Sequence, residues 1–230
     1  MIRFAIHKSG NCKRSNMDIK VALFDFDGVI MDTEGQYTLF WDRMGKKYLG
    51  VDGYGSIIKG QTLARIFGND FSGMEKEQAE IESMLDRFEA EMPYRFIPGL
   101  PDFFIELRSR GIRTAVVTSS SDRKMQNIYR ACPDFPSFVD RIFTSESFRR
   151  SKPAPDCFLL AMDTFGVSAE ETVIFEDSFY GLEAARASGG FVVGLATTNP
   201  REAIADKADM VIDDFAGFDM GQVQAYMDRL

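Results

Sequence analysis

Two aspartates come directly after a short apolar run near the start of the chain. Val21 to Phe24 has the length and composition of a buried strand, and Asp25 and Asp27 follow it, with Gly28 next. A desolvated carboxylate is costly without a partner, so we expect both acids at the carboxyl end of the strand, beside a bound cation. One carboxylate can accept a phosphoryl group, and a second, when protonated, can protonate a leaving oxygen. Two surface acids at a strand end are the alternative.

Hydroxyl groups and a lysine occupy two later loops. The run 118–121, Thr-Ser-Ser-Ser, follows an apolar segment. Its hydroxyls and backbone N–H groups could hold phosphate oxygens at a helix N-terminus, or could only cap that helix. Lys152 lies in a loop with Pro153 and Pro155 on its carboxyl side. Two prolines that restrict the loop and start a helix indicate that this lysine has a fixed direction and is not simply solvated.

A second pair of acids follows another apolar run. Glu176 and Asp177 come directly after residues 173–175. Carboxylate oxygens are ligands that Mg²⁺ prefers, although a charged strand end would look the same. In an open parallel sheet, ligands collect at the carboxyl ends of the strands. All these groups could therefore meet at one site if their strands belong to one sheet.

The elements that must position these residues alternate along the chain. From residue 98 onward, predicted strands alternate with predicted helices, which indicates a mostly parallel sheet with helices on both faces. Residues 34–97 have a helical pattern without a strand signal. The predicted fold class is therefore α/β, a Rossmann-like parallel sheet with a small inserted helical cap. The predicted strands are 19–25, 112–118, one within 138–144, 172–175, 191–196 and 210–212.

The domain organisation follows from that insertion. We expect an α/β core domain from residues 17–33 and 98–230, and a helical cap domain from residues 34–97. Residues 1–16 are polar and basic and lack the apolar stretch of a signal peptide, so we expect a loosely packed amino-terminal extension. The helix predicted at 155–165 is expected to turn three apolar side chains inward: Phe158, Leu159 and Met162.

Composition and charge narrow the classes of function. The chain has 230 residues, of which 45% are hydrophobic and 27% charged, as in a globular protein. A net charge of −8 argues against binding nucleic acid or an anionic membrane, but not against a small phosphate. Three scattered cysteines lack the spacing of a disulfide framework or a zinc site, which favours a reducing, cytoplasmic compartment. No segment is apolar enough to span a membrane, and we expect a monomer.

Together these groups resemble the motifs of the haloacid dehalogenase superfamily. Its first motif reads Asp-x-Asp-Gly-Val-x-x-Asp-(Thr/Ser)-Glu, as residues 25–34 do. Lys152 begins a Lys-Pro-x-Pro motif, and residues 176–185 read Glu-Asp-Ser-x-x-Gly-x-x-Ala-Ala. Order and spacing match over residues 17–196. Within the superfamily the chain looks like the β-phosphoglucomutase-like branch, which has a helical C1-type cap.

The resemblance implies a role for each core residue. Asp25 would be the nucleophile and Asp27 the general acid and base. Ser119 is the best match to the second motif, with Ser120 adjacent and Thr118 as a further option, and it would bind phosphate together with Lys152. The resemblance implies Mg²⁺ as the cofactor. Its ligands would be Asp25, the backbone carbonyl of Asp27, Asp177, and Glu176 directly or through water.

Four residues at the start of the cap are candidates for substrate contact. Residues around a Lys-Gly-x-x sequence have that role in relatives, and the same sequence starts here at Lys59. A solvated helix surface is the competing interpretation. The candidates are Glu34, Lys59, Gln61 and Arg65.

The resemblance therefore predicts a Mg²⁺-dependent phosphatase that hydrolyses a small phosphorylated metabolite, a sugar phosphate above all, through an aspartyl-phosphate. The first alternative is a β-phosphoglucomutase-type mutase. Relatives of that kind carry a His where this chain has Tyr37, and its one histidine is His7. A phosphonatase would need a Schiff-base lysine in the cap, for which Lys46, Lys47 and Lys59 give no clear candidate. A non-catalytic binding protein on the same fold is the alternative from another class.

Overall fold

The computed structural model describes residues 18–229 and contains a six-stranded parallel sheet in the order β3-β2-β1-β4-β5-β6. The predicted fold class is confirmed, and every predicted strand is present. The predicted extension, residues 1–16, lies outside the described residues. The strands are β1 (Val21–Phe24), β2 (Arg113–Val117), β3 (Arg141–Phe143), β4 (Thr172–Glu176), β5 (Phe191–Leu195) and β6 (Met210–Ile212).

Helices cover the sheet and form the segment between β1 and β2. The chain also has a π-helical turn at Gly45–Leu49 and short 3-10 turns at Phe135–Phe138, Ser145–Ser147 and Ala169–Glu171. The α-helices are α1 (Glu34–Met44), α2 (Tyr54–Ile57), α3 (Leu63–Asp70), α4 (Glu75–Glu91), α5 (Leu100–Ser109), α6 (Asp122–Ala131), α7 (Asp156–Phe165), α8 (Phe179–Ser188), α9 (Arg201–Ile204) and α10 (Met220–Met227).

Strand β1 is buried on both faces, which explains its continuous apolar sequence. Val21 and Leu23 pack with side chains of α7 and α8, whereas Ala22 and Phe24 pack with side chains of α5, α6 and α10. All four residues are fully buried. Because neighbouring parallel strands are buried in the same way, the polar groups that follow them emerge at one edge of the sheet.

The helices between residues 34 and 91 have an apolar core of their own. Their buried side chains form a cluster that is separate from the two clusters on the faces of the sheet. This supports the prediction of an inserted helical unit, while the boundaries at 34 and 97 stay a prediction. The cluster contains Phe40, Trp41, Met44, Tyr54, Ile58, Ile66, Phe67, Phe71, Ile81 and Leu85.

One predicted core residue is wrong. Phe158 and Met162 of α7 are buried, but Leu159 is 44% exposed. Leu159 is one position further along the helix than Phe158, which turns its side chain about 100° away from the sheet. None of the helices between residues 18 and 229 combines the length and apolar character needed to cross a membrane.

Candidate active site

Asp25 leaves the end of β1 in a position that the sheet fixes. Its backbone N–H donates to the carbonyl of Phe175 at 3.0 Å, which continues the pairing of β1 with β4. The chain then turns at Gly28, where φ is +76°. A Cβ at Gly28 would lie 2.1 Å from Oδ2 of Asp177, so only glycine fits this turn. The turn therefore brings the first acidic pair against the second.

Lys152 forms buried ion pairs with two of these carboxylates. Its side chain is 1% exposed, and its Nζ donates to Asp25 Oδ1 at 2.6 Å and to Glu176 Oε1 at 2.5 Å. A third bond goes to the carbonyl of Val117 at 3.1 Å. Burial opposes the charge on this ammonium, but the carboxylates of Asp25 and Glu176 raise the pKa of Lys152 above its ordinary value. Lys152 is therefore a fixed cation behind Asp25.

Glu176 uses both of its carboxylate oxygens within the protein. Oε1 accepts from Lys152, and Oε2 accepts from the backbone N–H groups of Asp177 at 2.9 Å and Ser178 at 3.0 Å. A Cβ on Gly181 would lie 1.8 Å from Oε1, so the start of α8 closes over this carboxylate. Glu176 thus holds Lys152 and the following loop in place. That arrangement suits a contact to a metal through water better than a direct one.

Asp177 is a buried carboxylate without a hydrogen-bond partner among the described residues. It is 1% exposed, and neither carboxylate oxygen is paired. Burial, followed by the nearby charge of Glu176, raises the pKa of Asp177 well above its ordinary range. Such a group is costly unless a cation satisfies it. The geometry therefore marks Asp177 as the carboxylate that most needs an additional partner.

Asp25, Glu176 and Asp177 form a group that could hold a metal ion. Each offers an oxygen, and these three oxygens lie within 4.8 Å of one another. Burial raises the pKa of Asp25 to about 8, against the opposing effect of Lys152 and with the help of the Glu176 charge. A hard cation with oxygen ligands would relieve this repulsion, so the donor set fits Mg²⁺.

Asp27 faces the other side of the site and accepts three hydrogen bonds. Its Oδ1 accepts from the hydroxyl of Thr33 at 2.5 Å. Its Oδ2 accepts from Ser120 Oγ at 3.0 Å and from Lys124 Nζ at 2.5 Å. Sequence reasoning missed Lys124, because a lysine in the first turn of a helix is ordinarily solvated. Its position one helical turn after Ser120 is the signal that could have found it.

The hydroxyls after β2 divide between the interior and the cavity. Thr118 is buried, and its Oγ1 accepts from the backbone N–H of Ser120 at 3.0 Å. Ser119 Oγ donates to the carbonyl of Gly60 in the cap at 3.1 Å. Ser120 thus presents its hydroxyl to Asp27 and Ser119 presents its hydroxyl to the cap, whereas the Thr118 hydroxyl bonds to the loop backbone.

The cap candidates face the acids across a cavity between cap and core. Two of them, Lys59 and Gln61, make polar contacts within the segment 34–61. Lys59 Nζ is 3.7 Å from Glu34 Oε2, and both side chains are less than one fifth exposed. Burial and the charge of Asp27 raise the pKa of Glu34 to about 7. Gln61 Nε2 donates weakly to the carbonyl of Ile57 at 3.5 Å, within the cap. These side chains are not a fully solvated helix surface.

Arg65 extends from the cap to the core. Its Nη1 donates to the carbonyl of Lys152 at 2.9 Å, and its guanidinium carbon is 5.1 Å from the ring centroid of Tyr180. The cavity between cap and core has a volume of about 800 Å³. Lys152 and Glu176 lie beneath it. The remaining predicted site residues line it: Asp25, Asp27, Glu34, Lys59, Gln61, Arg65, Ser119, Ser120 and Asp177.

Two curated relatives match most of the chain. A protein from Thermotoga maritima named phosphorylated carbohydrates phosphatase is 27% identical over 184 residues, covering 74% of this chain and 82% of the relative. The chloroplastic protein SUPPRESSOR OF QUENCHING 1 of Arabidopsis thaliana is 26% identical over 211 residues, covering 86% of this chain. The chain spans only 20% of the length of that plant protein.

Solved structures share the fold. The β-phosphoglucomutase (pgmB) of Clostridium difficile superposes with a TM-score of 0.73 at 21% identity, covering 92% of this chain and 98% of that one. The family described as haloacid dehalogenase-like hydrolase matches residues 19–189, which is more than half of the chain. The chain therefore belongs to the haloacid dehalogenase-like hydrolase family.

Proposed function

We propose that this protein is a Mg²⁺-dependent phosphatase that hydrolyses a small phosphorylated metabolite, with sugar phosphates as the substrate class, through an aspartyl-phosphate on Asp25. The observation that carries the proposal is the buried, unpaired carboxylate of Asp177 beside Asp25, with the cation of Lys152 behind it. A phosphate group that enters this cavity would meet a nucleophile, a fixed cation and acids suited to a metal ion. The carbohydrate phosphatase from T. maritima supports the substrate class.

In the first half-reaction, a carboxylate oxygen of Asp25 attacks phosphorus, and the bond between phosphorus and the leaving oxygen breaks. Asp27, in its protonated form, gives its proton to that oxygen, which departs as an alcohol. Lys152 would offset the negative charge of Asp25 and the phosphoryl group, and Ser119 and Ser120 would donate to phosphoryl oxygens. In the second half-reaction Asp27 takes a proton from water. That water attacks phosphorus, free phosphate leaves, and Asp25 is regenerated.

The residues that would hold Mg²⁺ are Asp25, the Asp27 carbonyl, Asp177, and Glu176 through water. A bound Mg²⁺ would neutralise charge on the phosphoryl oxygens. The cap would exclude bulk water and select the substrate, because its residues form the opposite wall of the cavity.

The mutase alternative needs a cap that keeps water away from the phosphorylated aspartate. The hydroxyl of Tyr37 donates to Glu89 Oε1 at 3.0 Å. Burial, with the charges of Asp27 and Glu89, raises the pKa of Tyr37 well above its ordinary value. Tyr37 therefore cannot change its protonation near neutral pH, which favours hydrolysis over transfer back to a sugar.

The test is a panel of phosphorylated metabolites, together with p-nitrophenyl phosphate, assayed with Mg²⁺ and with excess chelator. Both free phosphate and isomerised sugar phosphate are measured. We expect multiple turnovers with release of phosphate, and loss of activity in chelator. Conversion of β-glucose 1-phosphate to glucose 6-phosphate with little free phosphate would instead establish the mutase. Absence of turnover on the whole panel would support a binding protein.

A further inference from the structure

Lys124 is a buried lysine that the reaction described above does not use. It lies in the first turn of α6 and is 6% exposed. Its Nζ donates to Asp27 Oδ2 at 2.5 Å. A buried ammonium is costly unless it is paired, so the Asp27 carboxylate is the partner that makes this placement tolerable.

The same ammonium also faces the cap. Its Nζ lies 4.1 Å from the ring centroid of Tyr37, which belongs to α1. The Tyr37 hydroxyl is held by Glu89 of α4, a residue that is 4% exposed. Lys124, a side chain of the core, thus contacts both the proposed general acid and an aromatic ring of the cap. The face of an aromatic ring is a favourable site for a cation.

The three donors to Asp27 differ in what else they contact. Ser120 belongs to the core loop after β2, and Thr33 lies at the junction between β1 and α1. Lys124 is the donor whose ammonium also packs on a cap side chain. A displacement of α1 would take the Tyr37 ring away from Lys124 and leave the Asp27 carboxylate and the Phe26 ring as its partners. The cap thus supplies one of the contacts that fix this donor to Asp27.

We propose that Lys124 is a positioning residue for Asp27, which holds the Asp27 carboxylate in its productive orientation when the cap side chain of Tyr37 is packed against it. The inference rests on the proposed phosphatase function. Ser120 and Lys124 both donate to Oδ2 of Asp27, so Oδ1 is the oxygen that has to carry the proton for the leaving group. A misplaced Asp27 would therefore slow substrates with poor leaving groups most. A p-nitrophenolate leaving group needs little protonation and would be slowed least.

The rival interpretation is that Lys124 binds an anionic group of the substrate, since it lines the cavity. The two roles predict different kinetics. A substrate contact made equally in the ground state and the transition state raises KM and leaves kcat unchanged. A positioning role lowers kcat on the metabolite with little change in KM.

The test compares Lys124→Met with wild type on the best metabolite of the panel and on p-nitrophenyl phosphate. Met keeps the length of the stem and removes the ammonium. We expect kcat on the metabolite to fall about 10-fold or more, and kcat on p-nitrophenyl phosphate to fall by less than about 3-fold. Lys124→Arg should retain more of the metabolite rate than Lys124→Met, because it keeps a charged donor.

The matched control is Arg123→Met. Arg123 is the neighbouring cation on α6 and forms an ion pair with Asp86 of the cap helix α4, without contacting Asp27. Arg123→Met should leave unchanged the ratio of kcat on the metabolite to kcat on p-nitrophenyl phosphate. A double-mutant cycle with Asp27→Asn completes the test, because Lys124→Met should not change the ratio further once Asp27 is gone.

The outcomes separate the proposals. Wild-type protein that turns over neither substrate contradicts the phosphatase function. Active wild-type protein overturns the role of Lys124 if Lys124→Met slows both substrates equally, raises KM alone, or lowers the ratio again in the Asp27→Asn background. If Lys124→Met does not fold, as judged by circular dichroism, Tyr37→Leu removes the packed ring instead. It should lower the metabolite rate selectively, and an unchanged ratio would overturn the inference.

Discussion

The two sides of the cavity are built differently. We call Asp25, Lys152, Glu176 and Asp177 the strand-end cluster, and Glu34, Lys59, Gln61 and Arg65 the cap contact set. Every residue of the strand-end cluster is at most 8% exposed, and its ion pairs are 2.5 and 2.6 Å long. The cap contact set is partly exposed, and its one ion pair is 3.7 Å long.

This difference has a physical origin in the backbone. Asp25, Glu176 and Asp177 extend from the ends of β1 and β4, whose pairing fixes them relative to each other. The residues of the cap contact set other than Glu34 lie in and around the loop between α2 and α3, where no ladder holds the chain. Many enzymes show this division, in which a rigid scaffold positions less constrained loops that contact the substrate.

The largest effect should come from the proposed nucleophile, Asp25. Asp25→Asn replaces the attacking oxygen by an amide, and we expect phosphate release to fall by about 10³-fold or more. Asn keeps a carbonyl oxygen that can accept from Lys152, so we expect the variant to remain folded. Phosphate release and thermal unfolding, measured on the same sample, check the loss of activity and the retained fold. A variant with near-wild-type turnover would exclude the covalent mechanism.

Next in size is the loss of the cation within the strand-end cluster. Lys152→Met leaves the buried carboxylates of Asp25 and Glu176 without their shared partner, and we expect the free energy of unfolding to fall by about 3–5 kcal/mol. The control is Lys46→Met, which breaks an exposed cap ion pair with Asp52 and should cost less than about 1 kcal/mol. Urea unfolding measures both. An equal loss of unfolding free energy in the two variants would contradict the difference between the strand-end cluster and the cap.

The same contrast explains what the sequence could predict. Apolar runs that end in acids located β1 and β4, and parallel pairing then implied that the acids meet at one edge. The sequence did not reveal that both oxygens of Glu176 are used by Lys152 and backbone N–H groups, because these bonds depend on the packing of α8. Glu89 and the burial of Lys124 were missed for a similar reason, since both depend on the packing of α4 against α6.

Mg²⁺ should stabilise the protein, and more so at higher pH. The pKa of Asp25 is raised from its usual value of 3.8 to about 8 without a cation. Between these values the folded state binds more protons than the unfolded state, so the stability of the metal-free protein falls as pH rises from about 4 to about 8. Mg²⁺ replaces those protons.

At a Mg²⁺ concentration 100 times its Kd, the gain should be about 2.7 kcal/mol. Thermal unfolding with and without Mg²⁺ at pH 5.5 and pH 8 measures this, and the increment should be larger at pH 8. Asp177→Asn should greatly reduce the increment at both pH values, because it removes the carboxylate that has no hydrogen-bond partner among the described residues. A wild-type increment that is equal at both pH values would show that the cation does not replace protons at this cluster.

The smallest effect is expected in the cap contact set, at Arg65. Its guanidinium holds the Lys152 carbonyl at 2.9 Å and packs on Tyr180, so it can connect cap to core as well as contact a substrate. Arg65→Met should raise KM for the metabolite by about 3- to 10-fold, at most about 1.4 kcal/mol, and should change kcat little. This variant leaves in place the strand-end cluster, to which we assign the chemistry.

A comparison of two substrates decides which role of Arg65 dominates. If Arg65 holds the cap against the core, KM should rise similarly for the metabolite and for p-nitrophenyl phosphate, because both need a closed cavity. If it contacts the sugar, KM should rise for the metabolite alone. The carbonyl of Lys152 already occupies one donor of Arg65, so we expect the first result. A fall of kcat by more than about 10-fold on both substrates would show instead that the cap side takes part in the chemistry.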